Sequence, residues 1–417
     1  MIVHQPIITQ HEGKACISCR IEIHQKAVTL PDTLWFRFPE SCYDYIAQRS
    51  DGFAVAMLLN TMYFGEELEI RGVISPKLLY GLNEYQRIFN LWFPKQFNLV
   101  NISSENIAAA SPGDVQDGVG VAFSGGVDSF YTLWSHLPQN QPLTNYQITH
   151  GLFLHGYDIS LLDEQNFQLA YKAFAESLTH FDIEFLACQT NLHYFTEGHI
   201  KWHYAHGSVL HSSALLLGNL LSKFYIPASD TYNALIPWGT SPLTDHLIST
   251  ETLQVIHHGA GIRRIDKLSA ISDWNIAQKN LRVCTKEKKR HGVQNCSRCE
   301  KCLRTMTMLK VLDKLSLFTT FRQPFSNFDI LRWAPVYVFY GRLPDQIINY
   351  ARTNRKRGII PFLWIVSLGG WLRYWILKLM PGWLFQRIKN IFYPQRKNAF
   401  LFSNLPTDDI CKCRKVT

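Results

Sequence analysis

The chain is 417 residues long, 47% hydrophobic and 18% charged, with a formal net charge of +9, a length that predicts two or three domains of ordinary globular composition. Residues from Ala351 onward carry 13 basic and 2 acidic side chains, so the preceding 350 positions, with 29 basic against 31 acidic, are near neutral and exclude a body-wide basic surface. No internal repeat or low-complexity segment is visible, and four of the ten cysteines crowd between Cys284 and Cys302, which favours a metal over a disulfide framework.

The opening residues, MIVHQPIITQHEGK, lack a basic region followed by an apolar stretch and a small-residue cleavage site, so a cytoplasmic protein is expected. TLWFRFP (33–39) and LEIRGVIS (68–75) read as short strands, and AVAMLLNTMY (54–63) as a buried helix. Ser75 followed by Pro76 has the chemistry of a helix cap and first turn. Cys16 and Cys19 fall in the alternating run ACISCRIEI and read as strand residues. Together these predict a small mixed α/β domain over residues 1–110, followed by a linker, SSENIAAASPGDVQDG (103–118).

From residue 111 to about 315, apolar strands alternate with longer helical stretches. The strands are VGVAF (119–123), ITHGLFLH (148–155), IEFLAC (183–188) and KFYIPAS (223–229); the helices are 130–137, 163–178 and 208–221. This alternation predicts a doubly wound parallel sheet, whose ligands bind beyond the carboxyl ends of the strands.

SGGVDS, Ser124 to Ser129, occupies the turn from VGVAF into the following helix. Gly125 and Gly126 let backbone approach an anion, the first helical amides at Val127 to Ser129 point at it, and the hydroxyls of Ser124 and Ser129 add donors. Asp128 is unwelcome beside a phosphate unless it orients those donors or helps hold a magnesium ion. The spacing is neither GxxxxGK[ST] nor GxGxxG. SGGVDS resembles the signature of the PP-loop ATP pyrophosphatases. That resemblance implies an adenine nucleotide alpha-hydrolase-like fold, ATP with Mg2+, cleavage between the α and β phosphates, and adenylylation of a substrate oxygen before a nitrogen or sulfur nucleophile displaces AMP.

Further along, LHGYD places His155, Gly156 and Asp158 at a strand end, where adenosine, ribose or magnesium would lie, or where a turn and a helix cap would do. IKWHYAHGSVLH carries His199, His203, His206 and His211; His206 with Gly207 is a candidate nucleotide contact, Gly207 is expected to interrupt the helix, and the remaining histidines read as structural. Ser229, Asp230, Ser241 and Asp245 belong to a long polar loop that suits an acceptor or magnesium site, with Asp230 the candidate catalytic group. Of Arg263 and Arg264, the second is the candidate for stabilising charge on the transferring phosphate, alongside Asp128 and Ser129.

RVCTKEKKRHGVQNCSRCEKCLRTM (282–306) places Cys296, Cys299 and Cys302 at C-x2-C-x2-C spacing, twelve residues after Cys284, so four thiolates can close a structural zinc shell. Lys286, Lys288, Lys289, Arg290, Arg298 and Lys301 would offset its negative charge. An iron–sulfur cluster is the alternative occupant. A PP-loop followed by such a cluster is similar to the 7-cyano-7-deazaguanine synthase family over roughly residues 118–312; the regions flanking it and the longer interval before the triplet depart from that family.

Residues 316–417 predict a mainly helical, basic and aromatic extension. GIIPFLWIVSLGGWLRYWILKLMPGWLF (358–385) is broken by Gly369 and Gly370 and charged by Arg373 and Lys378, which favours buried or interfacial helices over a membrane span. The pair Cys411 and Cys413 lies in this basic tail. The expected activity is an AMP-forming ATP-dependent ligase joining ammonia or an amine to a small carboxylate or a protein acceptor. Its basic end would contact a membrane periphery or nucleic acid, and a homodimer is among the assemblies considered. The rival readings are a PP-loop sulfurtransferase or tRNA-modifying enzyme, and a non-catalytic nucleotide-binding module tethered through its C-terminal segment.

Overall fold

In the computed structural model the described residues are 1–25, 28–111, 113, 116–284, 291–333 and 343–379, with only the backbone described for 333 and 373–378. The first 104 residues supply β1 (Ile2–Val3), β2 (Ile7–His11), β3 (Lys14–Glu22), β4 (Thr33–Pro39), α1 (Asp51–Phe64), β5 (Leu68–Ile70), α2 (Pro76–Trp92) and β6 (Ile102–Ser104). Leu34, Phe36 and Phe38 alternate inward along β4, as a half-buried strand requires. Every residue of α1 from Asp51 to Met62 is buried. At the start of α2 the Ser75 Oγ accepts the Leu78 N–H at 3.0 Å, and Pro76 takes the first helical position, where the missing amide hydrogen costs nothing.

The strands then become parallel. β7 (Gly118–Ala122), β8 (His150–His155), β9 (Glu184–Thr190), β10 (Leu221–Pro227) and β11 (Gln254–His258) pair side by side in the order β11-β10-β7-β8-β9. Chain order reverses between β7 and β10. Their helices are α3 (Val127–Ser135), α4 (Glu164–Leu178), α5 (Trp202–Leu216), α6 (Arg264–Ile271), α7 (Asn275–Asn280) and α8 (Glu300–Val311). Side-chain alternation along β8 feeds two cores. Leu152 and Leu154 join the cluster shared with α1 and α5, whereas Phe153 joins an aromatic cluster with Phe123, Phe167, Phe174 and Phe185. Stacked and edge-on ring pairs, both present in this cluster, add about 0.5–1.5 kcal/mol each beyond their burial.

The expected boundary near residue 110 falls inside a single compact unit, Met1–Phe325. β4 pairs antiparallel with β9, and the sheet continues through β3, β1, β5 and β6, with β2 pairing β3 off this path, giving eleven strands in one mixed α/β sheet among the described residues. The polar stretch 103–118 looked like a linker because only local composition was available; strand pairing across more than 150 residues leaves no local mark. Gly207 does not break α5, which starts at Trp202. A Cβ at Gly207 would lie 1.8 Å from the Gly239 carbonyl oxygen, so this glycine serves close approach inside a helix.

In the second unit, Ser326–Thr417, α10 (Ile360–Leu379) packs against both a 3-10 turn at Asn327–Trp333 and α9 (Leu343–Thr353), Phe328 meeting Phe362 edge-on at 5.2 Å. α10 runs unbroken through Gly369 and Gly370. Among the described residues no helix is long and apolar enough to cross a membrane. Cys411, Cys413 and the basic tail around them lie outside the described residues.

Candidate functional site

The SGGVDS segment leaves buried β7 and enters α3. Gly125 is left-handed, φ +74°, and a Cβ there would come within 2.2 Å of the Phe174 ring, so the chain turns here only with glycine. Gly126 is the extended cap residue of α3. The Ser124 Oγ accepts the Gly126 N–H at 3.4 Å and lies 3.4 Å from the Ser129 Oγ, which donates to the Gly126 carbonyl at 3.1 Å. Helix geometry leaves the first amides, Val127 to Ser129, without internal acceptors. Their positive end therefore faces the carboxyl edge of the sheet, where the strand order reverses.

Arg282, which the sequence reading passed over, clasps this loop. Its backbone N–H donates to the Gly125 carbonyl at 2.7 Å, and its Nη1 donates to the Ser124 carbonyl at 3.1 Å and to Asp158 Oδ2 at 2.8 Å. The side chain is 1% exposed, yet its Nε and Nη2 are buried without a hydrogen-bond partner among the described residues. An unsatisfied buried donor costs about 1–3 kcal/mol, more for a charged group.

Asp128 points into a second cationic group. It pairs with Arg264, the first residue of α6, and lies 3.2 Å from Lys267 Nζ, which also donates to the Ala228 carbonyl at 2.6 Å. Burial disfavours the Asp128 carboxylate, but Arg264 and Lys267 outweigh it and hold its pKa below the ordinary value. Asp128 thus anchors two cations at the mouth of the loop. The Arg264 Nε is also buried without a hydrogen-bond partner among the described residues. Asp230, half-buried, has its pKa raised by burial, with Asp128 adding to the effect and Arg264, His257 and Lys267 opposing it. Lys301, an exposed residue on the first turn of α8, lies within electrostatic range of Arg264 and Asp158. Arg263 instead forms an exposed pair with Asp266 one turn on.

A pH prediction follows from the Asp128 shift. A carboxylate with a lowered folded pKa stabilises above its unfolded value, about 4, and loses that contribution as pH falls through the lower folded value. Thermal melts of the wild type should therefore drop below pH 4 more steeply than those of Asp128→Asn, and parallel melts would show that the pair contributes nothing.

The structure places His155 differently from the expectation. Its Nε2 lies 2.8 Å from the Ser160 carbonyl, its Nδ1 lies 3.2 Å from both Gln189 and Glu164, and the ring stacks on Phe167 at 4.3 Å. Both nitrogens are engaged and the residue is fully buried, so it packs the strand end and is not free to meet a nucleotide. Asp158 is instead the carboxylate that orients Arg282. His206, on α5, contacts the His203 carbonyl and Thr240, and burial pushes its pKa down to about 4, which keeps it neutral. His199 bonds Asn60 at 2.8 Å and stacks on Phe64, a structural role.

The Sγ atoms of Cys284, Cys296, Cys299 and Cys302 all lie within 4.8 Å of one another, and this set can hold a metal ion. Ser297, left-handed at φ +55°, turns the chain into a knuckle, and Cys299 caps α8 so that Cys302 sits on its first turn. Asn295 pins both arms: its Oδ1 accepts the N–H groups of Val283 and Cys284, and its Nδ2 donates to the Leu281 carbonyl and to Thr320. Hydrogen bonding with Cys284 is the main cause that pushes the Cys299 thiol up to about 11; a bound dication reverses this by taking thiolates. Lys286, Lys288, Lys289 and Arg290 lie outside the described residues. Cys16 and Cys19 are buried strand residues of β3, Cys19 donating to the His4 carbonyl.

Only Val283 separates Arg282 from Cys284, so the loop clamp and the cysteine centre share one short segment. Lys267, Arg282 and Lys301 carried no sequence signal beyond charge, because folding brings them to the loop from 138 to 172 positions further along the chain. In comparison with known proteins, the chain matches no family model, no curated protein and no solved structure.

Proposed function

We propose that the protein is an AMP-forming ATP-dependent ligase of the PP-loop class, joining ammonia or an amine to an adenylylated carboxylate or carbonyl oxygen. One observation carries this reading: a buried arginine, Arg282, grips the SGGVDS loop while keeping two N–H groups unsatisfied. An anion that took those donors would offset a cost the fold otherwise bears. The five parallel strands, read as a doubly wound sheet, put the loop at the switch point where nucleotides bind.

In this reading the amides of Val127 to Ser129 and the hydroxyls of Ser124 and Ser129 hold the departing pyrophosphate. Arg282 and Arg264 neutralise the charge that develops as the α–β bond breaks. Asp128 and Asp158 keep the two arginines in place. Asp230, protonated more readily than an ordinary carboxyl, faces the acceptor or a phosphate-bound magnesium ion. Among the described residues no base engages the hydroxyls of Ser124 and Ser129 to activate them as nucleophiles, so the rate comes from orientation and preorganised charge.

The cysteine centre suits zinc in a structural role. A tetrahedron with Zn–S near 2.3 Å has S···S edges of roughly 3.8 Å, and three pairs here stand at 3.3, 3.8 and 3.9 Å. Zinc there would lock the knuckle, and with all four thiolates committed to it none is left for sulfur transfer. Incubating the protein with Mg-ATP, ammonium and a panel of carboxylic acids should yield AMP and pyrophosphate with at least one acid. Formation of ADP, or no turnover with bound ATP, would overturn the ligase reading.

A further inference from the structure

Beside the cationic loop lies a buried carboxylate held between two histidines. Asp245, fully buried, directs Oδ2 at His257 Nδ1, 2.7 Å away. Its Oδ1 accepts the Ser241 N–H at 3.0 Å and stands 3.2 Å from Nε2 of His211, which is fully buried on α5. Burial alone would raise the Asp245 pKa, but the charges and hydrogen bonds of His211 and His257 hold it well below the ordinary carboxylate range. An ionised carboxylate at Nδ1 places the proton of a neutral imidazole on Nδ1 and leaves the lone pair on Nε2.

His257 stands at the carboxyl end of β11, the same edge of the sheet as the SGGVDS loop. Asp230, just after β10, is under the electrostatic influence of His257 as well as of Asp128, Arg264 and Lys267, so both groups flank the same carboxylate. Among the described residues no protein group engages His257 Nε2. Its neighbour His258 turns to the other face, as strand alternation requires, where it contacts Thr132 and the His136 ring; burial pushes its pKa down to about 3. The two histidines therefore serve different faces, and His257, its side chain 6% exposed, keeps an Nε2 that no group among the described residues engages.

We propose that His257 is the proton acceptor for the incoming amine, with Asp245 and His211 as its positioning residues. This rests on the ligase reading above. As the amine nitrogen attacks the acyl carbon of the adenylate, the C–N bond forms and the C–O bond to AMP breaks. AMP departs with that electron pair, and the N–H proton passes to His257 Nε2. Asp245 stabilises the imidazolium until it releases the proton to solvent.

The test uses the full chain labelled with 15N-histidine. The ring signal lost in His257→Gln should show a fixed Nδ1–H tautomer, and Asp245→Asn should shift it toward the mixture seen in water. Diethyl pyrocarbonate should modify His257, and Mg-ATP at about ten times its dissociation constant should slow that modification about tenfold by mass action. Should Asp245→Asn fail to fold, the wild-type tautomer and the protection are read without it. An Nε2–H tautomer, or unchanged modification while calorimetry records bound Mg-ATP, overturns the role of His257 alone. Absence of Mg-ATP binding overturns the ligase reading and this inference with it.

Discussion

Replacing Arg282 with methionine should lower AMP formation by about a thousandfold, near the upper end of what one preorganised donor contributes to a charged transition state. Three losses coincide in this variant. The Ser124 carbonyl loses its clamp, Asp158 loses its cation, and the two orphaned N–H groups disappear. The fold itself should suffer less, by about 1–3 kcal/mol, because Asp158 is partly exposed and can turn to water. Arg282→Lys separates the effects: charge returns, but one ammonium cannot reach the loop carbonyl, Asp158 and a phosphate in the planar geometry of a guanidinium. Pyrophosphate affinity by calorimetry should therefore stay low in the lysine variant while its melting temperature recovers. Wild-type pyrophosphate affinity in Arg282→Met would remove the anion site.

Stripping the metal should be the second large effect. Four neutral thiols packed within 4.8 Å of one another have no strong mutual attraction, and the knuckle around Ser297 is left to Asn295. A closed four-thiolate site contributes its binding free energy to folding, of order 10 kcal/mol in small zinc domains. Here the loss should stay local at first, loosening Cys284 and, through the shared segment, Arg282. Dialysis against a chelator is expected to weaken Mg-ATP binding more than tenfold and to lower the melting temperature, with both restored by zinc. Because the ligands must shed protons, retention of the metal should also fail as pH falls. Unchanged nucleotide affinity in the stripped protein would show that loop and knuckle are independent.

Legibility in the sequence followed the range of the interactions. The strand–loop–helix at residues 119–137 was readable because each of its signals is local: an apolar run, two glycines, a helix start. The cysteine centre was readable because three ligands lie within seven residues. Arg282 stood in plain view two residues before Cys284, but a charged side chain carries no mark of what it will face after folding. Asp128 was recognised as out of place beside phosphate; the explanation, Arg264 and Lys267, arrives from α6, over 130 residues away. His155 misled for the opposite reason, since a histidine at a strand end satisfies the sheet rule equally well when it faces inward. Asp245 was noted as a loop carboxylate, and its burial between two histidines came from tertiary packing that periodicity cannot report.

The antiparallel seam between β4 and β9 has a practical consequence. In an ordinary five-stranded parallel sheet β9 would form the outer margin, with a row of amides and carbonyls open to any passing strand. Here the N-terminal segment seals that margin and also supplies α1, which covers one face of the same layer. The half that carries the parallel strands is therefore not a portable module: cut away at residue 111 it would expose both a sticky border and an uncovered apolar face, inviting self-association. The opening hundred residues thus cover that border and that face within the same unit.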